Sequence, residues 1–284
     1  MNGVARYVIG DPGRAAVEVT AGPLPARIGV ADVELSAAQL GGMQVRAASS
    51  RGLEHRAAGM HRQDAFAMSS RTTPAGPDQL VVVVCDGVGS LARSDEAAAT
   101  ASRRLAELGA SGIPWSAAFC DVNAELTEAI GARSPGDGLM ATTALAAVVG
   151  RACGDWVLDA AWIGDCALWH LNPQSHWTPV TPEPPDLEPG IHSGTVASLP
   201  APDGTPAVCS ARLHGGALFL MSDGIANPLR WSADVRSTLA RWWAVPPDPY
   251  TFAAQADFGR TTHVDDRTVV GIWPDGGVHH GDEV

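Results

Sequence analysis

Residues 80–90 read LVVVVCDGVGS and give the strongest local signal in the sequence. The run from Leu80 to Cys85 is apolar and mostly β-branched, which is typical of a β-strand covered on both faces. Asp86 and Gly87 follow at once, and an Asp-Gly pair favours a turn. The stretch therefore predicts a buried strand with a carboxylate at its end.

On the C-terminal side of this strand, helices and strands are predicted in blocks. Residues 94–109 predict a helix with Ser94 as N-cap and Gly109 as C-terminal stop. Blocks of this kind favour an α+β layered fold with antiparallel sheets. The other predicted elements are a helix from Trp115 or Ser116 to about Ala132, helices over 232–245 and 250–258, and strands in 141–150, 156–165, 166–171, 217–221 and 268–273.

Composition and charge exclude several classes of protein. The chain has 284 residues, 45% of them hydrophobic, so it can bury one substantial core and we expect one domain. Its formal net charge of -12 argues against a nucleic-acid partner, because binding to phosphate backbones needs clustered Lys and Arg. No apolar run approaches the roughly 18 residues that span a bilayer, and the first residues lack a signal-peptide apolar region. We therefore expect a cytoplasmic protein with no membrane partner.

Acidic residues recur at the predicted strand ends. Asp86, Asp165 and Asp223 each end an apolar strand, and the pair Asp265-Asp266 precedes another. A single Asp-Gly after a strand is usually only a turn, but several buried carboxylates together require a compensating cation. Oxygen ligands without nearby Cys favour Mg²⁺ or Mn²⁺ over zinc, and two such ions can activate a water for attack on phosphorus.

Six motifs in this order resemble the PPM, or type 2C, family of metal-dependent protein phosphatases. The resemblance extends from about residue 44 to residue 273 and implies a four-layer αββα sandwich, with two central antiparallel β-sheets flanked by helix pairs. It divides the chain into an extension at 1–42, which adds a strand or lies over the surface, a phosphatase domain at 43–274 and a polar tail at 275–284. The motifs are RQDAF (62–66), VVVVCDGVGS (81–90), ATTALAAVV (141–149), WIGDCALW (162–169), LFLMSDGI (218–225) and DDRTVVGIW (265–273).

The resemblance also implies roles for individual residues. Asp86 would bridge two divalent metal ions, Mn²⁺ or Mg²⁺, and the Gly87 carbonyl would bind one of them. Of the pair in DDRT, the first acid matches the family's ligand position, so Asp265 ranks above Asp266. The remaining assignments are Asp223 with Asp265 on the first metal, Asp64 on a water from the second coordination layer, and Asp165 near a third, weaker metal.

Some positions depart from the family pattern. Gln63 stands where the family often has Glu, and Val88 and Gly59 stand where animal members have His and Arg. Phosphate binding would then need another cation, for which Arg56 and Arg62 are the candidates. His55 and His61 are close in sequence and could assist, although a histidine near a strand end is more often structural.

Three functions are consistent with these residues. The first is hydrolysis of phosphoserine or phosphothreonine in proteins by a water activated between two divalent ions, opposing a bacterial-type Ser/Thr kinase. The second is a phosphatase for small anti-sigma-antagonist-like regulators. The third is a catalytically weak or inactive module of the same fold that binds a phosphoprotein or regulatory partner, as Gln63 and the missing arginine suggest.

Overall fold

A computed structural model describes residues 6–12, 22–25, 27, 30–73, 78–134, 137–152, 155–182 and 196–274. Its strands are β1 (Val33–Leu40), β2 (Met43–Ser50), β3 (Ala65–Arg71), β4 (Gln79–Gly87), β5 (Thr142–Ala152), β6 (Asp155–Ile163), β7 (Ala167–Leu171), β8 (Trp177–Pro179), β9 (Ala207–Leu213), β10 (Ala217–Met221) and β11 (Arg267–Pro274). Its helices are α1 (Leu53–Ala58), α2 (Ser94–Ala110), α3 (Trp115–Gly131), α4 (Asp223–Trp231), α5 (Ala233–Trp242) and α6 (Pro249–Ala256).

The strands form two antiparallel sheets that pack face to face. One sheet has six strands in the order β1-β2-β11-β10-β7-β8, and the other has five in the order β3-β4-β5-β6-β9. One apolar core lies between the sheets. A second core joins the six-stranded sheet to α4, α5 and α6, and a third joins the five-stranded sheet to α2 and α3. This confirms the predicted α+β fold of two antiparallel sheets with flanking helices.

Strand β4 shows why its sequence is apolar at every position. Val82 and Val84 belong to the core between the sheets, whereas Val83 and Cys85 belong to the core beneath α2 and α3. Successive side chains of a strand point to opposite faces, so a strand with a core on each side has no solvent-facing position. The prediction of a strand covered on both faces is confirmed.

Some local predictions need correction. Helix α2 begins at Ser94, so Ser94 is its first residue and the N-cap is Arg93. The Ser94 hydroxyl donates instead to the Val88 carbonyl at 2.8 Å, which ties the helix to the turn after β4. Helices α1 and α4 were missed, because each is short and begins directly at a polar turn.

The N-terminal part of the chain contributes a strand, one of the two arrangements expected of the extension. Strand β1 pairs with β2 along its full length, from Val33 opposite Ser50 to Leu40 opposite Met43. The predicted tail at 275–284 lies outside the described residues, as do residues 183–195 of the proline-rich loop. No helix in the described part of the chain is long and apolar enough to cross a membrane.

Candidate metal centre

Carboxyl groups from both sheets meet where the sheets end. The electrostatic influence of Asp64, Asp165, Asp223 and Asp265 reaches the carboxyl of Asp86, so these strand ends converge. Asp86 lies at the end of strand β4, Asp165 between β6 and β7, and Asp223 at the start of α4 after β10. Asp64 directly precedes β3, and Asp265 lies two residues before β11. We call these five residues the carboxylate cluster.

The five aspartates of the cluster differ in their exposure to solvent. Asp64 is 3% exposed and forms its floor. Asp86, Asp165 and Asp223 are half-buried, and Asp265 is exposed at the rim. A ligand entering from solvent would therefore meet Asp265 first and Asp64 last.

The pKa values of the carboxyl groups in the cluster reflect repulsion between their negative charges. Burial raises the pKa of Asp86 well above its ordinary value, and the four neighbouring carboxylates raise it further. The pKa of Asp223 is also raised, first by burial and then by Asp265, Asp165 and Asp64, while a hydrogen bond with Asp86 acts in the opposite direction. Two carboxyl groups hydrogen-bond each other only if one is protonated. A divalent cation would remove this conflict, and a set of oxygen donors fits a hard ion.

The hydroxyl groups of two residues at the end of the six-stranded sheet lie near the carboxyl of Asp64. Burial and the charge of Asp266 raise its pKa to about 7, whereas hydrogen bonds from Ser222 and Thr268 lower it. These hydroxyl-bearing residues are themselves fixed: the Ser222 Oγ accepts from the Thr268 amide at 2.9 Å, and the Thr268 Oγ1 lies 2.6 Å from the Ser49 Oγ. The Oδ2 atom of Asp64 is buried and has no hydrogen-bond partner among the described residues.

Asp266 has a different environment from its neighbour Asp265. Its carboxylate, 2% exposed, accepts from the amides of Gly52 at 2.6 Å and Gln63 at 2.5 Å, and its Oδ1 lies 2.9 Å from the Nδ1 of His55. This anchoring of three chain segments was not predicted from the sequence. The sequence held one signal, the acidic pair itself, since adjacent side chains in extended backbone point to opposite sides.

One group of potential metal ligands is compact. Among the described residues, only His55, Asp265 and Asp266 bring three such ligand atoms within 4.8 Å of one another. Because Asp266 already accepts from two backbone amides and lies 2.9 Å from the His55 Nδ1, this trio is first a structural unit. The unit supports the exposed carboxylate of Asp265, whose Oδ1 accepts from the Asp266 amide at 2.8 Å.

Gly87 allows two segments of the site to come together. A Cβ at this position would lie 2.7 Å from the Gln63 carbonyl oxygen and 2.8 Å from the Ser94 Cβ, so a larger residue would push the segments apart. The preceding carbonyl, that of Asp86, accepts from the Thr142 hydroxyl at 2.9 Å. The Asp-Gly turn is thus fixed both by close packing and by the first threonine of the ATTALAAVV motif.

The two candidate phosphate-binding arginines are both buried. Arg62, 2% exposed, donates to the Glu34 carboxylate at 2.6 Å and to the Ser49 carbonyl at 3.3 Å, so its charge already has a partner on β1. Arg56 is 6% exposed, and its Nε has no hydrogen-bond partner in the part of the chain described.

A two-sheet sandwich with acids at converging strand ends defines a class of metal-dependent phosphatase folds. The family model described as protein phosphatase 2C matches residues 51–257. The chain therefore belongs to the protein phosphatase 2C family, which confirms the resemblance seen in the six motifs. No curated protein matches its sequence significantly.

Solved structures of other proteins share the fold at low sequence identity. The Ser/Thr phosphatase Stp1 from Staphylococcus aureus is 16% identical with a TM-score of 0.62, covering 92% of this chain and 100% of that one. The catalytic domain of the Ser/Thr protein phosphatase PstP, solved with two manganese ions, is 20% identical with a TM-score of 0.57, covering 81% and 97%. RsbX in complex with magnesium is 14% identical with a TM-score of 0.50, covering 84% and 99%.

Proposed function

We propose that this chain is a metal-dependent phosphatase that hydrolyses phosphoserine or phosphothreonine in proteins, with residues 43–274 as its catalytic domain. The main support is that the charges of carboxyl groups from both sheets raise the pKa of Asp86, in a chain that belongs to the protein phosphatase 2C family. Its substrates would be phosphoproteins made by a bacterial-type Ser/Thr kinase.

The groups proposed to hold two divalent ions, Mn²⁺ or Mg²⁺, are all oxygen donors. They are the carboxylates of Asp86, Asp223 and Asp265 and the carbonyl of Gly87, with Asp165 near a third, weaker ion. The raised pKa values of Asp86 and Asp223 support this assignment, because a cation relieves the repulsion that causes part of the shift. When bound, such ions supply Lewis-acid chemistry that activates a water and neutralises phosphate charge.

The remaining residues of the site orient the reactants. Asp64 is proposed to position the attacking water, since its carboxyl is buried near the Ser222 and Thr268 hydroxyls and its Oδ2 has no partner among the described residues. Val88 cannot donate a proton to the leaving group. Of the two arginines, Arg56 is the stronger candidate for binding phosphate, because Arg62 is paired with Glu34.

Hydrolysis of p-nitrophenyl phosphate and of a phosphothreonine peptide with Mn²⁺ tests this proposal. We expect turnover that EDTA abolishes and that Asp223→Asn reduces at least about 100-fold, as for loss of a group that stabilises developing charge. Asp121→Asn is a matched control, because this exposed helical aspartate pairs with Arg104 outside the site. Turnover that is absent, or unchanged by EDTA and by Asp223→Asn, contradicts the proposal.

A specific observation favours a second candidate, a catalytically silent module that binds a phosphoprotein. Gln63 replaces the family's usual Glu, and its buried Oε1 has no hydrogen-bond partner in the described structure. A neutral amide is a weaker support for a second cation than a carboxylate. Calorimetry with Mn²⁺ separates the two candidates: a phosphatase binds two ions, whereas the silent module binds a phosphopeptide without two-metal binding or turnover.

A further inference from the structure

A cavity of about 320 Å³ adjoins the carboxylate cluster. Its lining comes from the N-terminal segment, the chain around α1 and the start of α2, and includes Arg27, His61, Gln63, Ser90 and Asp95. Gln63 directly precedes Asp64, and the backbone of Gly87 packs against it. The cavity therefore opens beside the position where a phosphorylated residue would bind.

Arg27 holds a guanidinium group at the wall of this cavity. Its NH1 donates to the Glu96 carboxylate at 2.7 Å, and its NH2 donates to the Asp95 carboxylate at 2.8 Å and the Ala92 carbonyl at 2.9 Å. Three acceptors are thus arranged around a planar, forked cation, an arrangement that suits arginine better than lysine.

The two acids depend on Arg27 to different degrees. Glu96 also pairs with Arg93 and with Arg133, so it keeps cationic partners without Arg27. Among the described ion pairs, Asp95 has Arg27 alone, and its side chain is only 8% exposed. A buried carboxylate that loses its cation is costly, so another guanidinium would be favoured in the same place. We call Arg27, Arg93, Asp95, Glu96 and Arg133 the arginine–acid cluster.

Polar atoms elsewhere in the cavity wall are also unsatisfied. The Nε2 of His61 and the Oε1 of Gln63 are buried without a hydrogen-bond partner among the described residues, although the two side chains are 7% and 2% exposed. Native proteins pair nearly all buried polar groups, and exceptions often mark a place for a ligand or water. The wall can thus hydrogen-bond a further group beyond the guanidinium.

The segment that brings Arg27 to the cavity packs against α1. A Cβ on Gly22 would collide with the Arg56 carbonyl oxygen, and Pro23 lies against Gly59. No backbone hydrogen bond joins residues 22–25 or 27 to another described residue, and the Arg27 side chain is 35% exposed. Another guanidinium could therefore replace that of Arg27 without breaking a backbone hydrogen bond between described residues.

We propose that this cavity is a subsite for an arginine side chain of the phosphoprotein substrate, and that Arg27 occupies the subsite in the free protein as an intramolecular competitor. The proposal rests on the proposed function, because it is the phosphorylated residue that brings the substrate to the neighbouring carboxylate cluster. A substrate arginine close in sequence to the phosphorylated residue would take over the contacts to Asp95, Glu96 and the Ala92 carbonyl.

Binding of labelled peptides to the full chain with Mn²⁺ tests the subsite. Each peptide contains a nonhydrolysable phosphonate in place of phosphothreonine, with one arginine moved through the three positions on either side, and a norleucine peptide as reference. At one position we expect the arginine peptide to bind more tightly than its reference. We expect Arg27→Ala to increase this preference by about tenfold, the effect of one charged hydrogen-bonding partner.

Two further variants complete the test. Asp95→Asn should remove most of the preference for arginine, and Arg212→Ala should leave it unchanged, since Arg212 pairs with Asp155 on an exposed sheet edge. If Arg27→Ala does not fold, Arg27→Lys keeps the charge without the fork and should show a smaller gain. Equal binding of arginine and norleucine peptides in every variant, or binding of none, overturns the proposal.

The outcome for the subsite is separable from that for catalysis. Turnover of p-nitrophenyl phosphate needs no arginine and reports on the proposed function alone. If the protein prefers arginine peptides but hydrolyses nothing, the subsite is supported and the phosphatase activity is contradicted. If it turns over p-nitrophenyl phosphate but shows no preference for arginine, the phosphatase activity is supported and the subsite is contradicted.

Discussion

The carboxylate cluster and the arginine–acid cluster are neighbouring groups of acids in opposite electrostatic situations. In the first, burial and like charges raise the pKa values of Asp86 and Asp223. In the second, hydrogen bonds and charges of Arg133 and Arg93 overcome the effect of burial and lower the pKa of Glu96. Arginines pair with the acids of the second group, whereas like charges add to the effect of burial on Asp86 and Asp223. This difference supports the proposal that the carboxylate cluster binds a cation from solution.

The largest effect is expected from removal of the Asp86 carboxylate, at the centre of the carboxylate cluster. Asp86→Asn should reduce Mn²⁺-dependent turnover by about 1000-fold or more. It should also make the metal-free protein more stable, because it removes one of several charges that repel one another. Wild-type protein should gain about 2.7 kcal/mol from each site at a Mn²⁺ concentration 100 times its Kd, and the variant should lose this gain. Thermal unfolding with Mn²⁺ and with EDTA measures both effects. Equal stabilisation of variant and wild type by Mn²⁺ would contradict the assignment.

Stability as a function of pH sharpens the contrast. The pKa of Asp64 is about 7 in the folded protein, above its unfolded value of 3.8. Protonated Asp64 therefore makes its full contribution to the free energy of unfolding below pH 3.8, and this contribution is lost as the pH rises to 7. The loss amounts to roughly 4 kcal/mol in EDTA-treated protein. Mn²⁺ should weaken this dependence because it favours the ionised cluster. Denaturant unfolding between pH 4 and pH 8, with and without Mn²⁺, measures the slope; a metal-free stability that rises with pH would contradict it.

The adjacent acids Asp265 and Asp266 allow a test within a single pair. Asp266→Ala should cost about 3 kcal/mol of unfolding free energy, because it leaves the amides of Gly52 and Gln63 buried without acceptors. Asp265→Ala should cost less than about 0.5 kcal/mol, since its side chain is exposed, yet it should weaken Mn²⁺ binding. Urea unfolding and Mn²⁺ calorimetry on both variants are the measurements. A larger stability loss for Asp265→Ala would reverse the assignment.

Predictions from the sequence were most accurate where a single physical requirement determines the type of residue at each position. Strand β4 needs an apolar residue at every position because a core covers each face, so LVVVVC could be assigned without a partner strand. The strand-end aspartates were found because acids beside apolar runs are rare without compensation. The anchoring of Asp266 by Gly52, Gln63 and His55 could not be found in the same way. It depends on backbone amides and on contacts between residues more than 200 positions apart, which have no sequence pattern.

The N-terminal arginine shows the same limit. Nothing in the local sequence around Arg27 indicates that it pairs with Asp95 and Glu96, 68 and 69 positions away. Residues 1–42 were expected only to add a strand or to lie over the surface. The described part of this extension is attached in at least three places. Residues 6–12 pair with the chain at 257–261, strand β1 pairs with β2, and Arg27 contacts Asp95 and Glu96. Of these three, only the segment of Arg27 lines the cavity.

A smaller effect than that of Asp266→Ala is expected in the arginine–acid cluster. Glu96→Gln removes the shared acceptor of Arg27, Arg93 and Arg133, but the Glu96 side chain is 32% exposed and water screens the pairs. We expect a loss of about 1 kcal/mol at neutral pH, against almost none for Glu107→Gln, whose pair with Arg104 is more exposed. Because the pKa of Glu96 is lowered on folding, the loss should shrink as the pH falls below 4.5. Urea unfolding at two pH values measures it. A loss as large as that expected for Asp266→Ala would contradict the view that water screens the ion pairs of Glu96.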